Sequence, residues 1–154
     1  MRILIANDHG AVARKKEVQA WLLARGYEVR NLGVDVEDRV DYPDKAAEAA
    51  ALFLEGGWDF GVLLCGTGIG ISIAANKIAG IRCALIHDVY TARMAREHND
   101  ANFIALGGRV EYALPLGDIL AGFFDTGFEG GRHSERIRKI ADLDTKRLGG
   151  GKTS

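Results

Sequence analysis

Short apolar runs alternate with helix-patterned segments along nearly all 154 residues, and this alternation constrains the fold more than any other feature. "RILIA" (2–6) reads as a strand. The segment "AVARKKEVQAWLLARG" (11–26) reads as a helix with Val12, Val18, Trp21, Leu22 and Leu23 mostly on one stripe and Gly26 as its C′ residue. "YEVRNLG" (27–33) alternates like a partly exposed strand, and a helix opens at Pro43 and closes at Gly56-Gly57. Strands are expected again at 59–65, 81–87 and 102–107. Helices are expected at 71–78, 88–99, roughly 112–125 and 134–148, with Pro115 limiting how early the third becomes regular. Such alternation implies an α/β fold: a three-layer, doubly wound (Rossmann-like), five-stranded parallel sheet with helices on both faces. Residues 1–148 read as a single domain with no internal repeat, and 149–154 as a frayed tail.

Composition narrows the function classes. The formal charge of −1 leaves no electrostatic footprint for nucleic acid or an anionic membrane surface. No apolar run approaches the roughly 20 residues that a spanning helix needs. The opening "MRILIANDHG" is a strand with its exit turn rather than a signal peptide. The two cysteines, Cys65 and Cys83, have neither metal-ligand spacing nor the density of a disulfide framework, so a reducing, cytoplasmic setting is the expectation.

In an open parallel sheet, ligands bind beyond the carboxyl ends of the strands. The predicted exits carry Asn7-Asp8-His9, the loop around Asp41-Tyr42-Pro43, Cys65 with its glycine turn, His87-Asp88, and Gly107-Gly108-Arg109. Taken singly, each has an ordinary reading: Asp8 as a turn or N-cap residue, Cys83 as a small core residue, His87 as a cap. Together they put Asp, His, Cys, Thr and Arg on one edge.

Cys65 is the exit residue with the sharpest chemistry. It is the last residue before "GTGIG" (66–70), at a helix entrance where free amides stabilise an anion and so favour a thiolate. A thiolate there can act as a base or a nucleophile. The amides of Gly66, Thr67, Gly68, Ile69 and Gly70 form a nest for a phosphate or a developing oxyanion. A rival reading is a dinucleotide fingerprint with Asp88 on the ribose, which would make the chain a nicotinamide-dependent oxidoreductase. Against it, the glycines are spaced G-x-G-x-G and follow the third strand rather than the first. A third reading is a non-catalytic phosphosugar-binding protein that keeps the pocket. Two further clusters stand out: His98-Asn99-Asp100 before the last strand, and Arg132 with Arg136, four apart on one helical face. His98 suits proton exchange near neutrality or a helix C-cap, and the arginine pair suits a phosphate clamp or a solvated face.

The stretches "NDHG", "DYPD", "CGTGIGISIAANK", "GIRCAL", "EHNDANFIALGGR" and "EGGRHSERI", in this order from about residue 2 to about 140, resemble the type B ribose-5-phosphate isomerases. That group also includes galactose-6-phosphate and related sugar-phosphate isomerases. The resemblance implies aldose–ketose isomerisation of a phosphorylated sugar, without metal or nucleotide cofactor. Ribose 5-phosphate is the leading substrate, with allose 6-phosphate, galactose 6-phosphate and tetrose phosphates as alternatives. It implies Cys65 as the base moving a proton between C1 and C2 through an enediolate, with Thr67 and the 66–70 amides holding the oxyanion. His98, helped by Asp8, would open the furanose ring. His9, Arg132 and Arg136 would bind phosphate, and Tyr42, Asn99 and Arg109 would line the sugar. One branch of the group carries a glutamate base at the position of Ile71, so this chain resembles the cysteine branch. It further implies a homodimer, with a tetramer as a further step, whose site is shared: His98, Asn99 and Arg109 would come from the partner.

Overall fold

The computed structural model describes residues 1–146 and contains five parallel strands flanked by helices. In chain order these are β1 (Arg2–Asn7), α1 (Val12–Ala24), β2 (Glu28–Asn31), α2 (Tyr42–Leu54), β3 (Phe60–Cys65) and α3 (Ile69–Ala75). They are followed by β4 (Cys83–Leu85), α4 (Val89–Glu97), β5 (Phe103–Gly107), α5 (Leu116–Phe124) and α6 (Arg132–Lys146). A short 3-10 turn, His9–Ala11, links β1 to α1. The expected end of the last helix and the tail beyond it lie outside the described residues.

The sheet order is β2-β1-β3-β5-β4, all parallel. Strands β1, β3 and β5 are central, and their apolar runs are buried on both faces, as a sheet covered on both sides requires. Ile3, Ile5, Val62, Leu64, Ile104 and Leu106 pack under α1, α4 and α5. Ala6, Leu63, Phe103 and Ala105 face the other layer, with Ala46, Ala49 and Ala50 of α2 and Ile71 and Ala75 of α3. Small residues on α2 let that helix lie close to the sheet. The doubly wound expectation therefore holds.

Several element ends differ from expectation, four of them for a clear local reason. Helix α3 starts at Ile69, two residues early, because Gly68 adopts φ +79° and serves as its N-cap. It also stops at Ala75, since the Asn76 side chain turns to the backbone of Cys83, donating to its carbonyl (2.7 Å) and accepting from its N–H (2.9 Å). Strand β4 shrinks to three residues because only β5 pairs with it. Helix α5 starts at Leu116 rather than Tyr112; Pro115 is its N-cap, and the Tyr112 hydroxyl instead accepts from Gly107 N–H (2.9 Å). Gly26 ends α1 with φ +75°, where Gly26 N–H donates to Leu23 O and Tyr27 N–H to Leu22 O, closing the helix as expected.

Lys15 of α1 is fully buried. Its ammonium is paired with Asp35 in the β2–α2 loop, and Asn31 donates to the same carboxylate (3.1 Å). The Lys15 ammonium holds the Asp35 carboxyl below the usual carboxylate range. This pair pins the start of the loop that leads to Tyr42.

Candidate active site

The parallel register aligns Asn7 with Leu64 and Cys65 with Gly107, so three central strands end side by side. The hydrogen-bond ladder continues past them. Asp8 N–H donates to Leu64 O (3.1 Å), Gly108 N–H to Cys65 O (2.8 Å) and Arg109 N–H to Gly66 O (2.9 Å). Glycines let these exits touch: a Cβ on Gly10 would sit 3.3 Å from Gly66 N, and one on Gly108 only 2.5 Å from Ala11 Cα. The meeting point is where the winding reverses between β1 and β3, the position at which such sheets hold ligands.

Asp8 is buried, and its Oδ1 accepts from Gly10 N–H (2.8 Å), capping the 3-10 turn. His9 Nδ1 lies 3.2 Å from Val40 O, which fastens the turn to the β2–α2 loop. The Cys65 sulfur accepts from Gly68 N–H at 3.2 Å. That geometry depends on the left-handed backbone at Gly68, which turns its amide back toward the strand end. Packing also requires glycine there, since a Cβ would meet Leu85 Cδ1 at 2.7 Å and the Leu106 carbonyl carbon at 2.9 Å. Cys65 is only 4% exposed. The Thr67 side chain is at the surface of the turn, where its Oγ1 accepts from Ile69 N–H (3.3 Å). The Tyr42 ring covers Gly70. The Arg109 guanidinium lies over Gly66, its Nη1 3.6 Å from the Cβ that residue lacks.

The structure thus gathers Asp8, His9, Tyr42, the turn from Cys65 through Gly70, and Arg109 at one edge of one chain. Arg109 lies over the Cys65 turn of its own chain, where the resemblance implied an arginine from a partner. Ile71 is fully buried between α2, α3 and the sheet, where it serves the core. Cys83 behaves as the expected core residue, and burial pushes its thiol well above the ordinary range. Asp88 caps α4 in a reciprocal box with Thr91, whose N–H holds its carboxyl below the usual carboxylate range. His87 is exposed beside this cap, its N–H donating to Thr91 Oγ1 (3.2 Å).

His98, Asn99, Arg132 and Arg136 lie elsewhere. Helix α4 runs antiparallel to the strands, so its end returns to the amino edge of the sheet, just before β5. There Arg82, which precedes β4, donates to Asn99 O (3.2 Å), and Glu129 N–H donates to Glu97 O (3.0 Å). His98 stacks on His133 with ring centroids 4.2 Å apart, and Arg132 Nε donates to His133 Nε2 (3.4 Å). Arg136 is exposed one turn further along α6. The strand length, at about 3.3 Å per residue, separates this group from Cys65 by roughly 15–20 Å within one chain. His133 and Glu129 were not singled out in the sequence: Glu129 is an exposed loop residue, and the local pattern gives no sign that His133 is buried. An apolar groove of about 390 Å³ also opens on this side, between α6 and the β4 edge, lined by Ile81, Cys83, Ala101, Ile140 and Leu143 with Asn99 at its margin.

Among the described residues, no helix is long and apolar enough to cross a membrane. A family model described as Ribose/Galactose Isomerase matches residues 3–140. Ribose-5-phosphate isomerase B of Escherichia coli is 40% identical over 95% of this chain and 98% of its own length. The solved ribose-5-phosphate isomerase B of Clostridium thermocellum superposes with a TM-score of 0.91 at 47% identity, covering 96% of this chain and 99% of that one. The corresponding Thermotoga maritima structure gives 0.87 at 48% identity, covering 92% and 97%. With the match spanning every strand, the glycine turn and the start of α6, the chain belongs to the Ribose/Galactose Isomerase family.

Proposed function

We propose that this isomerase interconverts ribose 5-phosphate and ribulose 5-phosphate in the cytoplasm, with Cys65 as the base, and that its site is completed by a second copy of the chain. Membership of the family makes it an aldose–ketose sugar-phosphate isomerase; the sugar, the residue roles and the dimer are the proposal. The observation that carries it is the Cys65 sulfur held against Gly68 N–H where Asp8, His9 and Arg109 converge.

The chemistry follows from that arrangement. Isomerisation removes the proton from C2 of the open-chain aldehyde and returns one to C1. Cys65 as thiolate takes the C2 proton, and the electron pair moves onto the carbonyl oxygen to give an enediolate. Thr67 and the amides of the 66–70 turn, apart from Gly68 N–H on the sulfur and Ile69 N–H on Thr67 Oγ1, receive the developing oxyanion, where each preorganised donor is worth about 10²–10³-fold in turnover. The thiol then delivers its proton to C1 while the C2 hydroxyl proton passes to the C1 oxygen, leaving the C2 carbonyl and C1 alcohol of the ketose and regenerating the thiolate, so no net proton is consumed. His98, with Asp8, opens the furanose ring beforehand. The phosphate supplies remote binding energy that places C1 and C2 beside the sulfur; His9, Arg132 and Arg136 hold it, while Tyr42, Asn99 and Arg109 contact the sugar hydroxyls.

A single chain keeps Cys65 and His98 at opposite edges of its sheet, so both roles can serve one sugar only if two chains meet. That supports a homodimer in which one protomer gives Asp8, His9, Tyr42, Cys65 and Arg109, and its partner gives His98, Asn99, Arg132 and Arg136. The free, buried cysteines agree with a reducing compartment.

Assaying Cys65→Ala with ribose 5-phosphate tests the base. Loss of a general base lowers kcat by about 10²–10⁴-fold with KM little changed, whereas near-native turnover would remove the thiol from the mechanism.

A further inference from the structure

His98, His133 and Glu129 form the one three-residue cluster of potential metal ligands found among the described residues, with ligand atoms within 4.8 Å of one another. An ion is the first occupant to consider. Imidazole nitrogens present their lone pairs in the ring plane. The two rings are stacked, with planes only 8° apart. Near-parallel planes share no nearby point, so a cation at a normal bond length of about 2.0–2.1 Å cannot lie in both. The geometry is wrong for a metal.

It suits an orienting device. His133 is 3% exposed and forms a fixed aromatic floor. His98, at the C-cap of α4, lies flat on it and keeps its outer face accessible. The Glu129 carboxylate reaches the edges of both rings, 3.2 Å from His133 Nε2 and 3.9 Å from His98 Nε2. Glu129 is itself anchored, its N–H donating to Glu97 O at the end of α4. Of the other charged groups nearby, Arg132 Nε contacts His133 Nε2 (3.4 Å), while Arg96 and Arg82 pair with Asp100 and Arg93 with Glu97.

We propose that His133 and Glu129 are positioning residues that hold the plane and the edge of His98 for ring opening. This rests on the reading of His98 as the ring-opening group. An imidazole at a helix end would otherwise rotate about its side-chain bonds. Moving a proton between the anomeric hydroxyl and the ring oxygen requires one orientation, and a misplacement of about 1 Å costs about 10²-fold. The stack restricts the ring to one plane, and the carboxylate 3.9 Å from Nε2 favours the ring flip that turns this nitrogen toward it.

Ring opening can be read apart from isomerisation. In ribose 5-phosphate labelled with carbon-13 at C1, exchange between the α and β furanose signals reports opening and closing, and exchange with the ribulose signal reports isomerisation. Exchange spectroscopy on the intact protein at equilibrium measures both in one sample. His133→Ala is expected to slow anomer exchange about ten- to a hundredfold, with KM for ribose 5-phosphate held within about twofold. His133→Phe keeps the floor and is expected to retain exchange within about threefold. Glu129→Ala, an exposed change that leaves the core intact, is expected to slow exchange about tenfold, and Glu129→Gln to restore most of it.

Native exchange in folded His133→Ala overturns the proposal. So does a raised KM with native exchange at saturation, which would mean that His133 serves Arg132 instead. Should His133→Ala fail to fold, the Glu129 pair decides alone: native exchange in Glu129→Ala overturns it. Unchanged exchange in His98→Asn would instead overturn the ring-opening reading itself.

Discussion

The Tyr42 ring occupies the space where residue 70 would carry a side chain: a Cβ on Gly70 would lie 2.6 Å from Tyr42 Cζ. Gly70 sits in the first turn of α3, and the tyrosine opens α2, so this contact joins two helices across the mouth of the site. Gly70→Ala forces the half-exposed ring outward while improving helix propensity by up to about 1 kcal/mol. The expected result is unchanged or raised thermal stability with KM increased about three- to tenfold, the equivalent of one hydrogen bond of about 1 kcal/mol. A stability loss without a KM change, seen by thermal melting and steady-state kinetics, would count against a substrate role for Tyr42.

Mixing two inactive variants tests the shared site directly. In a dimer of Cys65→Ala with His98→Asn, one site carries both substitutions and the other carries neither. Random reassortment then restores about a quarter of native activity, measured after co-refolding or prolonged mixing. If both residues acted within one chain, no activity would return.

The Lys15–Asp35 pair gives a pH-dependent stability. The Asp35 carboxyl is held below its ordinary value, so its contribution is present above about pH 4 and is lost as pH falls through the lowered value. Asp35→Asn leaves the buried Lys15 ammonium without its counter-charge and is expected to lower Tm clearly at pH 7. Lys15→Met, which fills a similar volume without a charge, is expected to lower it less. The gap between native and Asp35→Asn melting temperatures should close as pH drops below 4.

The dinucleotide reading of the glycine turn makes an opposite prediction to the isomerase reading. Asp88 Oδ1 accepts from Thr91 N–H at 2.6 Å, and its carboxylate completes the α4 cap, so it is committed to the helix rather than to a ribose. Titration with NADH is expected to give no saturable change in nucleotide fluorescence, whereas ribose 5-phosphate should raise the melting temperature of Cys65→Ala. Saturable NADH binding would reopen the oxidoreductase reading.

Most of the layer order was legible because central strands covered on both faces must be apolar without a break, as in "RILIA" and "DFGVLLC". The Cys65 turn was equally plain: three glycines in five residues mark a backbone that must bend and pack closely. The place of Arg109 beside its own chain's Cys65 turn follows from chain order. A residue just after a parallel strand lies at the carboxyl edge, where Arg109 follows β5, and one just before a strand lies at the amino edge, where His98 precedes it. That rule was available from chain order alone. The burial of Lys15 and the stack under His98 were not, since each depends on a segment from elsewhere, Asp35 in one case and Glu129 with His133 of α6 in the other, and no periodicity encodes such meetings.

The span of one sheet between sulfur and imidazole carries a practical corollary. On the shared-site reading, a lone subunit is well folded yet inert, and specific activity becomes a gauge of association. Dilution below the dissociation constant should extinguish turnover while the circular dichroism spectrum stays the same. A substitution in the seam between subunits, far from any sugar atom, would then mimic a lesion in the pocket.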